Sequence, residues 1–211
     1  MNITVFGASG GTGTALVEQA LAGGHEVTAV VRDPARLNVP PDPRLQVITA
    51  DVMDPASIVP TLVGADAVVN TVGPHGLGRT TIQRDSVRSI LQAMRQAGAC
   101  RRLLHVSGSS TVDDGESWYM RFPVKPLARA TFLGSSCTDM RGAETMIRAS
   151  DVEWTIFRPP SLKSKRARGY RTAIDRNLPH GFSITRGDLA ACMLAMLPDQ
   201  ATVRHHVGVA N

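Results

Sequence analysis

Short, nearly continuous apolar runs recur along the chain, and segments with helical spacing separate them. Such runs predict buried strands, because a strand covered by helices on both faces is apolar at almost every position. The predicted strands cover residues 2–6, 25–31, 45–50, 65–71, 102–107, 153–157 and 203–209. Pro159 and Pro160 end the sixth strand, since proline has no N–H group for a central ladder.

Helical spacing is clearest between the fourth and fifth runs. One helix face there carries Val87, Ile90, Leu91 and Met94. Gly98 is a typical stop for that helix. Further helices are predicted from the glycine-rich turn at 7–13 to residue 22, over 140–149 and over 186–197. Thr185 and Asp188 begin the last of these with the form of a capping box, Asp standing in for the preferred Glu.

This alternation of strands and helices predicts an α/β fold. We expect a Rossmann-type, doubly wound parallel sheet with helices on both faces. The chain has 211 residues, of which 43% are hydrophobic, and it shows no linker or internal repeat, so we expect a single domain over 1–211. Regular patterns are lost at 112–135 and 159–185, and we expect these segments to form a small part above the sheet that covers a substrate.

The formal charge of +5 directs attention to anionic ligands. The densest basic run is Lys163, Lys165, Arg166, Arg168 and Arg171. This run could follow a phosphate backbone or could be a solvated loop. Only Tyr170 lies within it, so the stacking platform of a single-strand binder is missing, and we expect no nucleic-acid partner.

The chain also carries signals about its compartment. No apolar run approaches the roughly 18 residues of a membrane span, and the first strand begins without a preceding signal sequence. Cys100, Cys137 and Cys192 are odd in number and lack CxxC spacing, which argues against a disulfide framework or a zinc site. We therefore expect a cytoplasmic protein with no membrane association and no metal.

The glycine-rich turn is the strongest functional motif. It places Gly7, Gly10 and Gly13 between the first strand and the first helix. A diphosphate can approach a backbone that has no Cβ in the way, and the N-terminus of the helix presents free N–H groups. A glycine turn without a ligand is the alternative, but the position at the start of an alternating pattern favours a dinucleotide site. The predicted phosphate-binding residues are Gly7, Ser9, Gly10, Gly11, Thr12 and Gly13.

The end of the second strand indicates which dinucleotide binds. Enzymes that use NAD carry an acidic residue there to bind the ribose hydroxyls, and this chain has Arg32. A guanidinium can form paired bonds with a 2′-phosphate, so NADP(H) is favoured, with Arg36 as a second candidate contact. Asp33 could repel that phosphate or could cap the turn after Arg32.

Further short motifs accompany the glycine turn. They are Asp51-Val52, Thr71-Val72-Gly73, Val106-Ser107, the loop from Arg32 to Leu37 and the run from Trp154 to Pro160. With them the chain resembles, over nearly its full length, the atypical short-chain dehydrogenases/reductases of the NmrA-like NAD(P)-binding group. Within that group it is most similar to NADPH-dependent flavin reductases of the biliverdin reductase B type.

This resemblance implies specific roles in the cofactor cleft. Asp51 would bond the adenine amino group, and Val52 would pack on the adenine ring. Thr71, Val72 and Gly73 would line the adenosine and ribose. Pro159 and Pro160 would border the nicotinamide. A small-molecule substrate and a monomer or weak dimer are the expected partner and assembly.

The sequence departs from the Tyr-x-x-x-Lys acid pair of standard dehydrogenases. Tyr119 follows Ser107 by a suitable distance, but Lys125 is six residues further on, with Pro123 between. Tyr119 is thus either a catalytic acid or an aromatic residue of the substrate lid. Where many atypical relatives carry a lysine, this chain has Met140.

Two other residues are candidate catalytic groups. Ser107 ends a central strand, where its hydroxyl could contact cofactor or substrate or could be satisfied by the backbone. His75 lies on a loop at the same edge and could donate a proton, although an exposed loop histidine is the alternative. We assign no role to His205 and His206.

These features predict an NADP(H)-dependent oxidoreductase that transfers hydride to a flavin, quinone, ketone or similar conjugated acceptor. The alternatives are a redox sensor that binds NADP(H) without turnover, and an isomerase or cyclase that uses the same cleft. The missing Tyr/Lys pair favours the sensor, whereas the short irregular segments favour a small-molecule site.

Overall fold

The computed structural model describes residues 1–74, 76, 80–98, 100–111 and 134–211. Its strands are β1 (Asn2–Phe6), β2 (Glu26–Val31), β3 (Leu45–Thr49), β4 (Ala67–Asn70), β5 (Arg102–Val106), β6 (Glu153–Arg158), β7 (Ser161–Lys163), β8 (Arg171–Ile174), β9 (Ser183–Thr185) and β10 (His205–Ala210). Its α-helices are α1 (Gly11–Ala22), α2 (Pro55–Ile58), α3 (Ile82–Ala97), α4 (Gly134–Arg148) and α5 (Arg186–Ala195).

The main sheet confirms the Rossmann-type prediction. Across the described ranges it has the order β3-β2-β1-β4-β5-β6-β10-β8, and every neighbouring pair is parallel except β10 with β8. Strands β7 and β9 form a separate parallel pair. The chain order reverses between β1 and β4, and in open α/β sheets ligands bind at such a reversal, beyond the carboxyl ends of the strands.

Among the described residues, two helices cover each face of the sheet. Helices α1 and α5 bury one core, in which Leu16, Val17, Leu189 and Met193 pack beneath the strands. On the opposite face α3 and α4 bury a second core with Val87, Ile90, Ile147 and Phe6. The predicted apolar face of α3 is therefore confirmed, and Gly98 ends this helix in the left-handed conformation with φ of 69°.

The predicted elements agree with the observed ones within about two residues, apart from two corrections. Helix α4 covers Gly134–Arg148, whereas the sequence predicted it only from residue 140. The prediction began too late because the first residues of this helix are small and polar and show no apolar periodicity. The segment 159–185 was predicted to be irregular and to lie above the sheet. Part of it, β8, instead forms the antiparallel edge strand of the main sheet. An exposed edge strand needs no continuous apolar run, so Arg171–Ile174 carried no strand signal. Residues 112–133 lie outside the described part.

Thr185 caps α5 as predicted, but Asp188 has a different role from the partner in a capping box. Thr185 Oγ1 accepts a bond from Asp188 N at 3.0 Å. The buried Asp188 carboxylate accepts bonds from the backbone N–H groups of Arg168 (3.0 Å) and Gly169 (3.1 Å). Thr185 N donates to Asn211 Oδ1 at 2.9 Å instead. Asp188 therefore fixes the basic segment beside the first turn of α5.

Candidate cofactor site

A cleft of about 170 Å³ lies beyond the carboxyl ends of β1, β2 and β4. Nine residues that the sequence predicted for cofactor binding line it, namely Gly7, Ser9, Gly10, Arg32, Asp51, Val52, Thr71, Val72 and Gly73. Val30, Val31, Ala50 and Ile82 add apolar walls. The lining thus combines a glycine-rich backbone turn, apolar side chains and a cation, a composition that suits an adenine nucleotide.

Two glycines of the turn are required by close packing of the backbone. A methyl group on Gly7 would lie 2.8 Å from Thr71 Oγ1 and 2.9 Å from Val72 N, and Gly7 has a positive φ of 79°. A methyl group on Gly13 would lie 2.2 Å from the carbonyl oxygen of Gly7. These glycines let β4 and the start of α1 approach the turn. Gly10 is less constrained by the fold, since a methyl group there would meet Gly7 O, at 3.2 Å, and no other atom of the described residues within 4 Å.

The N-terminus of α1 is prepared for an anion. The N–H group of Thr14 bonds Gly10 O at 2.8 Å, so those of Gly11, Thr12 and Gly13 precede the helical ladder. Gly10 provides no capping side chain, and the first turn contains no acidic residue. The partial positive charge of this helix end is therefore not balanced by a side chain of its own first turn.

Arg32 follows β2, lines the cleft and is exposed. Within the described ranges, neither Arg32 nor Arg36 has a side-chain hydrogen bond or ion pair. Asp33 Oδ1 accepts a bond from Ala35 N at 3.1 Å and caps the short turn at Pro34–Arg36. Of the two predicted roles for Asp33, the structure therefore shows the capping role. Arg36 is exposed in this turn and does not line the cleft.

Asp51 lines the same cleft as Arg32. Its Oδ1 accepts a bond from Met53 N at 3.0 Å, which fixes the loop after β3. No other bond to this carboxylate is found among the residues that the structure describes. One oxygen of Asp51 is therefore available to a ligand, and Val52 lies beside it on the cleft wall.

Ser107 lies outside the cleft lining, in a buried polar cluster on the α4 side of the sheet. Its Oγ donates to Glu144 Oε1 at 2.7 Å, and Thr111 Oγ1 donates to the same oxygen at 3.1 Å. Arg158 bonds both oxygens of Glu144, at 3.1 Å from Nε and 2.6 Å from Nη2. Arg148 adds a partly exposed ion pair at 2.9 Å. Four side chains thus hold one buried carboxylate at the end of β5.

The environment of this cluster sets its ionisation. Burial alone would raise the pKa of Glu144, but the hydrogen bonds and charge of Arg158, with the bond from Ser107, lower that pKa overall. Burial lowers the pKa of the neighbouring His206 to about 4, and the charges of Arg158 and Arg148 act in the same direction. Near neutral pH the cluster therefore contains a carboxylate and a neutral imidazole.

From the sequence, Glu144 received no functional role, and Arg158 appeared only within the run from Trp154 to Pro160. An arginine within the apolar run of β6 was a signal that an acidic partner is buried nearby, because an unpaired buried charge is costly. Glu144 lies between Ala143 and Ile147 on the buried face of α4, where an acidic residue is equally unusual.

Comparison with known families agrees with this geometry. A family model described as NAD(P)H-binding matches residues 7–200. The chain belongs to this NAD(P)H-binding family. The cleft is consistent with that membership, since the glycine turn and the N–H groups at the start of α1 supply donors for a diphosphate.

Relatives of this NAD(P)H-binding protein extend over its whole length. The UPF0659 protein YMR090W of Saccharomyces cerevisiae is 28% identical, with 100% of this chain and 93% of that protein covered. The oxidoreductase ylbE from Lactococcus lactis superposes with a TM-score of 0.83 at 19% identity, covering 100% of this chain and 91% of that one. A short-chain dehydrogenase/reductase from Veillonella parvula in complex with NADP gives 0.78 at 17%, covering 100% and 94%. At these identities the two solved structures establish the fold.

The other predicted residues of the NAD(P)H-binding protein lie outside the lining of the cleft or outside the described residues. Gly11, Thr12 and Gly13 form the first turn of α1 behind the cleft. Pro159 is buried after β6, and its carbonyl accepts a bond from Ser109 N at 2.9 Å, so it lies beside the end of β5 with Pro160 next to it. Neither proline lines the cleft. Tyr119 and His75 lie outside the described residues, and their predicted roles stay predictions. Met140 packs near Gly108, since a methyl group on that glycine would lie 3.0 Å from Met140 Sδ.

In the described part of the NAD(P)H-binding chain, no group of three or more His, Cys, Asp or Glu side chains could hold a metal ion. Within the same residues, every helix is too short or too polar to cross a membrane.

Proposed function

We propose that this protein is an NADP(H)-dependent oxidoreductase that reduces a small conjugated acceptor. The observation that carries the proposal is Arg32, an exposed guanidinium without an ionic partner in the described residues, lining the same cleft as the glycine turn. An NAD enzyme carries an acidic residue at this point. A cation there is suited to the 2′-phosphate that distinguishes NADP(H).

The residues of the cleft would divide the binding of the cofactor among them. The N–H groups at 11–13 would hold the diphosphate, and Arg32 would hold the 2′-phosphate. The free oxygen of Asp51 would bond the adenine amino group, with Val52 packed on the ring. Thr71, Val72 and Gly73 would line the ribose. The chain would thereby direct the nicotinamide toward the ends of β5 and β6, where Ser107 and the two prolines lie.

When bound, NADPH would supply a hydride to the acceptor, which would also take one proton from solvent and leave NADP⁺ in the cleft. In such reactions the protein mainly aligns donor and acceptor. Acceptors that need little acid assistance fit this chain best: a flavin, a quinone or a conjugated ketone. The resemblance to NADPH-dependent flavin reductases of the biliverdin reductase B type supports a flavin, and the solved relative described as an oxidoreductase supports the reaction class.

A second candidate is a sensor that binds NADP(H) without turning it over. It is favoured by the engagement of Ser107 with Glu144 and by Met140 near Gly108, where relatives carry a lysine. An isomerase or cyclase using the same cleft is a third candidate, which no observed contact favours.

The test is anaerobic oxidation of NADPH by the purified protein with flavins, quinones and ketones, followed by loss of NADPH absorbance, alongside calorimetry with NADPH and NADH. We expect tighter binding of NADPH than of NADH and turnover with at least one acceptor. Tight binding without turnover, together with a partner protein captured only in one redox state, would favour the sensor. Equal affinity for both cofactors would contradict the assignment of Arg32.

A further inference from the structure

Arg186 is the first residue of α5, and its side chain lies across the start of α1. A methyl group on Gly11 would lie 2.7 Å from Arg186 Cδ and 2.8 Å from Arg186 Nε. Gly11 thus leaves the space that the guanidinium stem occupies. The charged group is thereby brought to the first N–H groups of α1, which precede the helical ladder.

The bonding of Arg186 differs from that of the buried arginines. Arg158 pairs with Glu144, and Arg102 donates five bonds to carbonyl and hydroxyl oxygens. Arg186 donates one bond, from Nη1 to Ser164 Oγ at 2.7 Å, and forms no ion pair with any described residue. A guanidinium has five N–H donors, so most of those of Arg186 remain available.

The position of Arg186 is fixed by its surroundings. Gln19, near the end of α1, donates from Nε2 to Gly187 O at 3.0 Å and joins α1 to the first turn of α5. Thr185 caps α5, and Asp188 holds the backbone of the basic segment beside it. The cation is therefore held beside a helix end that is itself positive, an arrangement that costs energy unless an anion lies between them.

We propose that Arg186 is a cofactor-binding residue that contacts the diphosphate of NAD(P)H at the N-terminus of α1. The inference rests on the cofactor assignment of the proposed function but not on hydride transfer. A diphosphate on the N–H groups at 11–13 would lie within the reach of the guanidinium that crosses Gly11, and Arg–phosphate bonds are charge-assisted. Since NADPH and NADH share the diphosphate, Arg186 adds affinity for both, whereas Arg32 discriminates between them.

The test is calorimetry with four ligands: NADPH, NADH, ADP-ribose and adenosine 2′-monophosphate. Arg186→Met keeps the stem over Gly11 and removes the charge. We expect it to weaken NADPH, NADH and ADP-ribose about 10- to 100-fold, the range of a lost bond to a charged group, and to leave adenosine 2′-monophosphate unchanged. Arg32→Ala should give the opposite pattern, with losses for NADPH and adenosine 2′-monophosphate only. Arg186→Lys should recover part of the loss, because it restores a cation without the fork.

Arg95→Met is the matched control, since Arg95 is exposed in the last turn of α3 on the other face of the sheet. An equal loss in this control would show that net charge is responsible and would overturn the proposal. Unchanged binding of NADH and ADP-ribose by Arg186→Met, with circular dichroism showing a folded protein, would also overturn it. If the variants show the expected pattern of binding losses but the parent protein never oxidises NADPH, only the hydride transfer is refuted.

Discussion

Ser107 Oγ donates a 2.7 Å hydrogen bond to Glu144 Oε1, which joins the end of the central strand β5 to helix α4. Both side chains are buried, and Arg158 completes the cluster with two bonds to the same carboxylate. The bond places a charged group directly behind the serine that the sequence proposes for catalysis. It therefore links the stability of the fold to the candidate reaction site.

Removing one side of the buried ion pair should destabilise the protein strongly. We expect Arg158→Met to lower the free energy of unfolding by about 3–5 kcal/mol, because the carboxylate of Glu144 stays buried and loses its main partner. The double variant Arg158→Met/Glu144→Met should recover much of that loss. Urea unfolding measures both. A double variant as unstable as the sum of its single variants would contradict a coupled pair.

Ser107→Ala separates a structural role from a catalytic one. Loss of one bond to Glu144 should cost about 1–3 kcal/mol of stability. If Ser107 also orients cofactor or substrate, kcat should fall about 10- to 100-fold while NADPH affinity stays within about threefold. Thr111→Val removes another donor to the same oxygen and is the control, for which we expect a stability loss without the fall in kcat.

Tyr119→Phe should reduce kcat less than Ser107→Ala, because no lysine is placed one helical turn beyond Tyr119. A larger fall in kcat for Tyr119→Phe would show that Tyr119 is a dehydrogenase-like acid.

Arg32→Ala should change the preference between the two cofactors. We expect NADPH binding to weaken by about 1.5–3 kcal/mol, the range for bonds to charged groups, and NADH binding to stay nearly constant. Arg36→Ala should have a smaller effect, because Arg36 does not line the cleft. Calorimetry with both cofactors measures the difference. Equal losses for NADPH and NADH would mean that Arg32 does not bind the 2′-phosphate.

The glycines of the turn should differ in what their replacement disrupts. Gly13→Ala should destabilise the fold, because its methyl group would lie 2.2 Å from Gly7 O. Gly10→Val should leave the circular dichroism spectrum unchanged and abolish nucleotide binding, since Gly10 faces the cleft. Thermal unfolding and calorimetry of the two variants test this contrast. Normal NADPH binding by Gly10→Val would place the cofactor elsewhere.

Stability should fall as the solution is acidified below about pH 6.5. Burial lowers the pKa of His105 to about 4, so between pH 6.5 and about 4 the unfolded chain binds a proton that the folded chain does not. This difference removes about 2 kcal/mol by about pH 5. His206, with a pKa of about 4, adds to the loss over the same range, and Glu144, with its lowered pKa, adds to it at still lower pH.

Urea unfolding of the parent and of His105→Asn between about pH 7 and pH 5 checks this expectation. The variant should show a shallower dependence, because it lacks the buried imidazole of His105 and keeps that of His206. A dependence as steep as that of the parent would assign the effect to other groups.

The sequence by itself determined the seven parallel strands of the main sheet, most helices and the glycine turn of the cofactor cleft. Buried parallel strands must be apolar at nearly every position, so β1 and β4 to β6 were visible as runs, and α3 was visible from its apolar face. The glycine turn was equally clear from the spacing of its glycines. Gly7 and Gly13 stand where backbone segments nearly touch, and few other residues fit such positions.

Only the tertiary structure decided which residues lie beside each charged side chain. Ser107 and Glu144 are 37 residues apart, and Gly11 and Arg186 belong to helices from opposite ends of the chain, so no local spacing relates them. The edge strand β8 was also invisible, since its exposed positions need no apolar pattern. Hydrophobic periodicity reports the burial of a segment, whereas the partner of a buried charge is chosen by the packing of distant elements.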